Sequence, residues 1–295
     1  ACPEIDVDAI RARRIHVALD CVRGAGGVIV PRLLDALGCE VSAIHTEPDG
    51  RFPRDPEPTA ENLAELGQLV VSSGARIGLA VDPDADRLSL VDDAGQAMGE
   101  DFTLAVAADV VLARRPGALV TNLSTSRVVE DVAERRGAPF VRAPVGEINV
   151  ARRMQAEAAT IGGEGNGGVI LPSIQHTRDA SAGILLILQA LADADADAPI
   201  SQIVVDWPTY RIVKQKVSFE RAQLDAAYEA LREAFPSAES DLTDGLRLAW
   251  TPERAWLHVR PSGTEPVVRL IAEAPDEAMA TRLVEQAGQT LASLR

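Results

Sequence analysis

What the chain lacks narrows its chemistry first. Of its 29 cations only Lys214 and Lys216 are lysines, and 44 carboxylates bring the formal net charge to −15. Neutralising a phosphate backbone takes clustered cations, so a pI near 4.7 argues against nucleic-acid binding. Any anionic substrate must be gripped locally, against an unfavourable global field. The arginine bias, beside the abundant alanine, reads as the imprint of a GC-rich genome rather than as a halophilic surface. Cysteine is scarce too. Cys2, Cys21 and Cys39 form no CxxC pair and are odd in number, which argues against a disulfide framework or a zinc site and for incidental thiols in a reducing cytoplasm. The longest purely aliphatic run is Ile184–Leu188, far below the ~20 residues of a membrane span. No basic segment followed by an apolar one opens the chain, so we expect no secretory signal.

What is present is the material of a folded protein. Hydrophobic residues make up 46% and charged residues 25% of 295, which predicts two or three domains with real cores. Residues 15–20 read as a buried strand, followed by a glycine turn at Gly24, Gly26 and Gly27 and a helix from Pro31 to Leu37. Strands at 41–45, 76–81 and 88–91 enclose a helix over 60–72, a spacing that implies parallel strands joined by crossovers. His16 and His45 fall inside these strands and read as packing residues. The alternation then repeats through residue 207, ending in a strongly apolar helix at 181–191 and an Ala/Asp run at 192–198 that reads as a solvated linker or helix end. After Trp207-Pro208 a strand, a helix, three further strands and a final helix suggest an α+β domain. The expected fold class is α/β: two consecutive α/β/α domains, 1–98 and 99–207, with mixed, mostly parallel sheets. A smaller α+β domain, 208–295, follows.

Three loops could carry chemistry. Asp82-Pro83-Asp84-Ala85-Asp86-Arg87 directly follows a strand, and three carboxylates at alternate positions of a turn can converge on one hard cation such as Mg²⁺. Asp and Pro also favour turns for conformational reasons alone, but three alternating aspartates just past a buried strand point to a metal. An EF-hand loop fits poorly, because Arg87 stands where it needs glycine and Asp93 where it needs glutamate. In the second loop, Gly162 to Gly168, five glycines permit close backbone approach, while Glu164 and Asn166 offer hydrogen bonds suited to sugar hydroxyls. Alone it could equally be a hairpin turn, since it lacks the P-loop lysine and opens no helix. The third, Arg260-Pro261-Ser262-Gly263-Thr264-Glu265-Pro266, sets a guanidinium, two hydroxyls and backbone N–H groups together as a phosphate cradle. A plain turn explains its Pro, Ser and Gly but not the flanking Arg and Thr. Around His176-Thr177-Arg178-Asp179, Asp179 reads as the N-terminal residue of a helix, and Ser124-Thr125-Ser126 as a helix cap.

In this order and at this spacing the three loops resemble those of the α-D-phosphohexomutase superfamily, which holds the phosphoglucomutases, phosphomannomutases and phosphoglucosamine mutases. The resemblance spans essentially the whole chain. It implies that Asp82, Asp84 and Asp86 of a DxDxDR loop bind Mg²⁺, with Arg87 in support. It implies that Glu164 and Asn166 of a GE-x-[SN]-G loop select the sugar, and that Arg260, Ser262, Gly263 and Thr264 hold the phosphate not being transferred. The stretch Val145–Met154, with GGEGNGG and the later RDA, is most similar to the archaeal-type and Bacteroidetes-type phosphoglucosamine mutases.

Members of that superfamily carry a first domain with a phosphorylated serine in a T-[AS]-S-H-N-P loop, and no such segment occurs in these 295 residues. The resemblance therefore covers domains two to four. It implies a missing N-terminal domain supplied in cis or in trans, a phosphorylated hexose as partner, and no turnover by this chain alone. The expected reaction interconverts glucosamine 6-phosphate and glucosamine 1-phosphate. The alternatives are phosphomannomutase or phosphoglucomutase chemistry, or a non-catalytic phosphosugar-binding module. Neither membrane nor nucleic acid is an expected partner, and the expected location is the cytoplasm.

Overall fold

In the computed structural model the described residues are 2–195, 197–262 and 266–294. A short helix, α1 (Val7–Arg13), comes first; the Asp6 carboxylate caps it by accepting the Ala9 N–H at 3.0 Å. Ile10 is its buried residue, too little apolar periodicity to announce a helix.

The first sheet is built from β1 (His16–Asp20), β2 (Glu40–Ile44), β3 (Ile77–Val81) and β4 (Leu88–Val91), with helices α2 (Gly26–Ala36) and α3 (Ala64–Ser73) in the crossovers. Its order is β2-β1-β3-β4. β1 runs parallel to β2 and β3, while β4 pairs antiparallel with β3. Crossovers explain the parallel pairs. The six residues from Asp82 to Arg87 are too few for one, so the parallel pattern expected from spacing stops at β3. α2 starts at Gly26 rather than Pro31, because its first glycines serve contact rather than a turn. A Cβ on Gly26 would lie 3.0 Å from Val81 Cγ1, and one on Gly27 would overlap the Thr46 carbonyl.

The second sheet follows α4 (Asp101–Arg114). It takes β5 (Leu119–Asn122), β6 (Phe140–Ala143), β7 (Ile161–Glu164) and β8 (Gly168–Ile170) in the order β6-β5-β7-β8, with α5 (Arg127–Arg136) and α6 (Glu147–Ala156) between strands. β5 and β7 are parallel; β7 and β8 form an antiparallel hairpin. α7 (Ala180–Asp193) packs on α4, both heavily buried, and a short α8 (Ile200–Ile203) follows. The Ala/Asp run is a helix end with a tethered exit: Ala192 and Ala198 are buried, and Arg76 Nε donates to the Ala198 carbonyl at 3.1 Å. Ala196 lies outside the described residues.

The third sheet is wholly antiparallel, in the order β10-β11-β12-β13-β9. Its strands are β9 (Arg211–Ser218), β10 (Glu239–Asp241), β11 (Leu246–Trp250), β12 (Ala255–Pro261) and β13 (Val267–Ala274). α9 (Leu224–Ala234) and α10 (Glu277–Ala292) close over a core that includes Leu231, Leu257, Leu270 and Leu291. The fold is thus two parallel-rich α/β sheets followed by a smaller α+β domain with a wholly antiparallel sheet, as expected. β10 is the strand the pattern did not suggest, being a short, largely exposed edge.

Two compact units emerge from the contacts. One comprises residues 1–125, 129–142 and 146–207; the other comprises 126–128, 143–145 and 208–295. No helix among the described residues is long and apolar enough to cross a membrane.

Candidate functional site

The aspartate loop sits at the carboxyl end of β3, where the parallel strands of an α/β sheet place their ligand-binding loops. Ala85 takes a left-handed φ of 62°, turning the chain back towards β4. Asp82 is fully buried and acts as the anchor. Its Oδ1 accepts the N–H groups of Asp86 and Arg87, each at 3.1 Å, and its Oδ2 accepts Arg87 Nε at 2.6 Å. Burial raises the Asp82 pKa above the ordinary carboxylate value, and the hydrogen bonds and charge of Arg87 only partly offset it. Burial works against charge on Arg87 as well, but its bonds to Glu57 and Asp82 outweigh that and strengthen its hold on the proton.

Asp82, Asp84 and Asp86 each offer a carboxylate oxygen, all within 4.8 Å of one another, with Asp84 exposed and Asp86 half-buried. Oδ1 of Asp86 is buried and has no hydrogen bond among the described residues; Arg87 Nε stands 3.5 Å from it. A converging set of hard oxygens with one buried oxygen left unsatisfied fits a small divalent cation.

The glycine-rich loop is the hairpin between β7 and β8, with Gly165, Asn166 and Gly167 at its turn. It abuts the aspartate loop. Leu88 N–H donates to the Gly167 carbonyl at 3.0 Å, and Arg87 pairs with Gly168 as an antiparallel bridge. Gly167 has φ +89°, and a Cβ there would overlap the Leu88 carbonyl, so glycine is required for both reasons. Glu164 is buried within this wall. Its Oε1 accepts from Asn122 Nδ2 at 2.8 Å and from Gly146 N at 2.9 Å, and its Oε2 from Arg178 Nη1 at 3.1 Å. Asn166 is half-buried and folds its Oδ1 back onto the Gly168 N–H at 3.2 Å.

Arg178 is the residue that motif reading passes over. It pairs with Asp86, Glu164 and Glu147, so one guanidinium spans the aspartate loop, the glycine hairpin and the start of α6. Glu147 in turn accepts the Thr177 hydroxyl and the Arg178 N–H. Burial opposes charge on Glu147, but these donors and the Arg178 cation hold its pKa below the usual range. The signal was an arginine immediately before the N-cap of α7; Asp179 is that cap, accepting the Ser181 N–H at 2.7 Å. Ser126 is also a cap of sorts, its Oγ accepting the Val128 N–H at 3.2 Å.

Behind the aspartate loop, Asp20 at the end of β1 gathers a second cluster. It accepts the Val22 N–H at 2.8 Å and Arg54 Nε at 2.9 Å, and it lies 3.1 Å from His45 Nδ1. His45 is therefore not a strand packing residue: it follows β2 at a φ of 52° and pairs by side chain.

In the other compact unit, Arg260 lies on β12 and its Nε donates to Asp244 Oδ2 at 2.8 Å. Ser262, buried, donates its N–H to the Val267 carbonyl at 2.8 Å. Gly263 and Thr264, the remaining predicted cradle residues, lie outside the described residues.

Three family models match in succession: phosphoglucomutase/phosphomannomutase alpha/beta/alpha domain II over residues 1–95, alpha/beta/alpha domain III over 99–210, and the C-terminal domain over 213–288. A phosphoglucomutase/phosphomannomutase of Thermococcus kodakarensis is 38% identical over 285 residues, which is 95% of this chain and 61% of the relative. A probable phosphoglucosamine mutase of Methanopyrus kandleri is 32% identical, covering 96% of this chain and 62% of the relative. The crystal structure of a phosphoglucomutase/phosphomannomutase family protein from Burkholderia thailandensis superposes with a TM-score of 0.84 at 27% identity, covering 97% of this chain and 63% of that one. The chain thus spans about three-fifths of the length of the relatives it matches. With models for three successive domains matched along nearly its whole length, the chain belongs to the phosphoglucomutase/phosphomannomutase family.

Proposed function

We propose that these residues are the metal-, sugar- and phosphate-binding part of a phosphohexomutase, moving a phosphoryl group between the 1- and 6-positions of a hexose. The observation that carries this reading is the convergence of Asp82, Asp84 and Asp86 within 4.8 Å beside the glycine hairpin. Mg²⁺ bound to them would supply neutralisation of the charge on a transferring phosphoryl group. Arg87 keeps Asp82 in place through its Nε. Glu164 and Asn166 present polar groups to sugar hydroxyls, Glu164 with its orientation fixed by Asn122 and Gly146. Arg260, Ser262, Gly263 and Thr264 grip the distal phosphate, with Asp244 steadying the Arg260 guanidinium.

The phosphoryl donor, a phosphoserine, comes from outside the 295 residues. It gives its phosphoryl group to the free hydroxyl of the sugar phosphate, and after the bisphosphate reorients the serine takes back the other one. The 295 residues alone therefore bind the phosphosugar without turning it over. The proposed substrate is glucosamine 6-phosphate, supported by the Methanopyrus relative. A second reading, mannose or glucose 6-phosphate, is favoured by the name of the Thermococcus relative at higher identity.

Calorimetric titration of the three 6-phosphates in Mg²⁺ against wild type, Ser262→Ala and Asp84→Asn tests all of this. Binding that Ser262→Ala weakens supports the cradle, sugar binding that no longer responds to Mg²⁺ in Asp84→Asn supports the metal loop, and the ranking names the sugar. Affinity unchanged by Ser262→Ala, or no binding of any of the three, would overturn the assignment.

A further inference from the structure

Arg178 serves two sites at once. Its Nη2 bonds Asp86 Oδ2 at 2.5 Å and its Nη1 bonds Glu164 Oε2 at 3.1 Å, while its Nε stands 3.4 Å from Glu147 Oε2. The pose is built rather than incidental. The side chain is 18% exposed, its own N–H is fixed by Glu147 Oε1 at 2.9 Å, and a Cβ on Gly168 would overlap its Cδ. Asp86 is thus shared between the proposed metal loop and a guanidinium that also holds the proposed sugar-binding glutamate.

A divalent ion and a guanidinium repel each other at such range and compete for one carboxylate. We infer that Arg178 couples metal occupancy to phosphosugar binding. A divalent ion on Asp82, Asp84 and Asp86 draws the Asp86 carboxylate away from Arg178. The released Nη2 then takes a hydroxyl oxygen of the bound sugar, while Nη1 keeps Glu164 in place. No covalent bond changes; a charge-assisted hydrogen bond is exchanged from a carboxylate to the ligand. The inference rests on the proposed metal and sugar roles of these loops. Linkage is reciprocal, so the sugar phosphate must tighten the metal by the factor by which the metal tightens the sugar phosphate.

The test uses Mn²⁺ as the metal probe and glucosamine 6-phosphate as the anion, each titrated with and without the other against the 295-residue chain. In wild type each should tighten the other by about fivefold or more. In Arg178→Met the factor should fall to within about twofold of one, while Mn²⁺ alone binds more tightly because Asp86 has lost its competing cation. Arg178→Lys keeps the charge but not the two-armed fork, and should lose the linkage as well. A merely structural role would weaken both affinities and leave their mutual factor untouched. Linkage retained in a folded Arg178→Met or Arg178→Lys protein overturns the inference, as does absent linkage in a wild type that binds both ligands. The underlying reading is checked separately, since Asp84→Asn should abolish Mn²⁺ binding. If wild type binds no Mn²⁺, the metal reading and the coupling fall together.

Discussion

Gly168→Ala puts the packing of the site to a quantitative test. Gly168 lies in β8 outside the left-handed region, so alanine suits its backbone and by itself would stabilise by about 0.4–1 kcal/mol through the unfolded chain. The obstacle is Arg178, whose Cδ a Cβ would overlap and whose Cγ lies 3.0 Å away; Asn166 Oδ1 at 3.2 Å needs to give by only tenths of an ångström. The arginine must move, and its bonds to Asp86 and Glu164 go with it. A hydrogen bond to a charged group contributes about 1.5–3 kcal/mol. The Asp86 end is half-exposed and discounted for solvent, whereas Glu164 is 4% exposed and keeps most of its share. The net cost should be about 2–3 kcal/mol, or roughly 30- to 150-fold in the folded-to-unfolded ratio. Urea unfolding followed by circular dichroism measures it, with more than one transition allowed in the fit because the chain divides into two compact units. The decisive comparison is the same substitution in an Arg178→Ala background, where the obstacle is gone and Gly168→Ala should be neutral or stabilising by about 0.5 kcal/mol. An equal cost in both backgrounds would refute the argument.

Other expectations follow from the same geometry. Gly167→Ala should cost about 2 kcal/mol or more with Arg178 present or absent, because φ +89° and the Leu88 carbonyl are backbone constraints; a melting temperature within a degree or two of wild type would contradict this. Burial lowers the pKa of His258 below its ordinary 6.5. The unfolded chain therefore takes up this proton first as pH falls, so His258 removes stability from about pH 6.5 downward to the folded value. His258→Gln should show a shallower loss of urea midpoint between pH 7.5 and 5.5 than wild type, and parallel profiles would sink the assignment. Burial, with the Asp20 charge second, pushes the Cys21 thiol up to about 12. Iodoacetamide at pH 8 should spare Cys21 in the native protein and label it in urea, as peptide mass spectrometry can show.

Much of the fold was legible because the signals are local. The continuous buried apolar run of β3 and the apolar stripe of α3 declare themselves through pattern alone. The elements that escaped have physical reasons to do so. α1 buries only Ile10, and β10 is a three-residue edge strand whose residues are mostly exposed. α2 began early because Gly26 and Gly27, which read as a turn, are small to let the helix approach Val81 and the Thr46 carbonyl. β4 turned back against β3 because six residues cannot carry a crossover.

The site divides in the same way. Alternation of three aspartates after a strand is a sequence property, since a turn following a buried strand brings neighbouring carboxylates together whatever surrounds it, and the family's three loops are likewise written in residue order. By itself the sequence determined the metal-loop, sugar-loop and phosphate-loop candidates and the family they resemble. Only the tertiary structure decided that the aspartate loop and the glycine hairpin share one wall through Leu88 and Gly167, and that Glu164 is already held by Asn122 and Gly146. It alone joined Arg178 to a carboxylate 92 residues away. A guanidinium's partners depend on which strands lie side by side, and one arginine before a helix cap carries no trace of that in its neighbours along the chain.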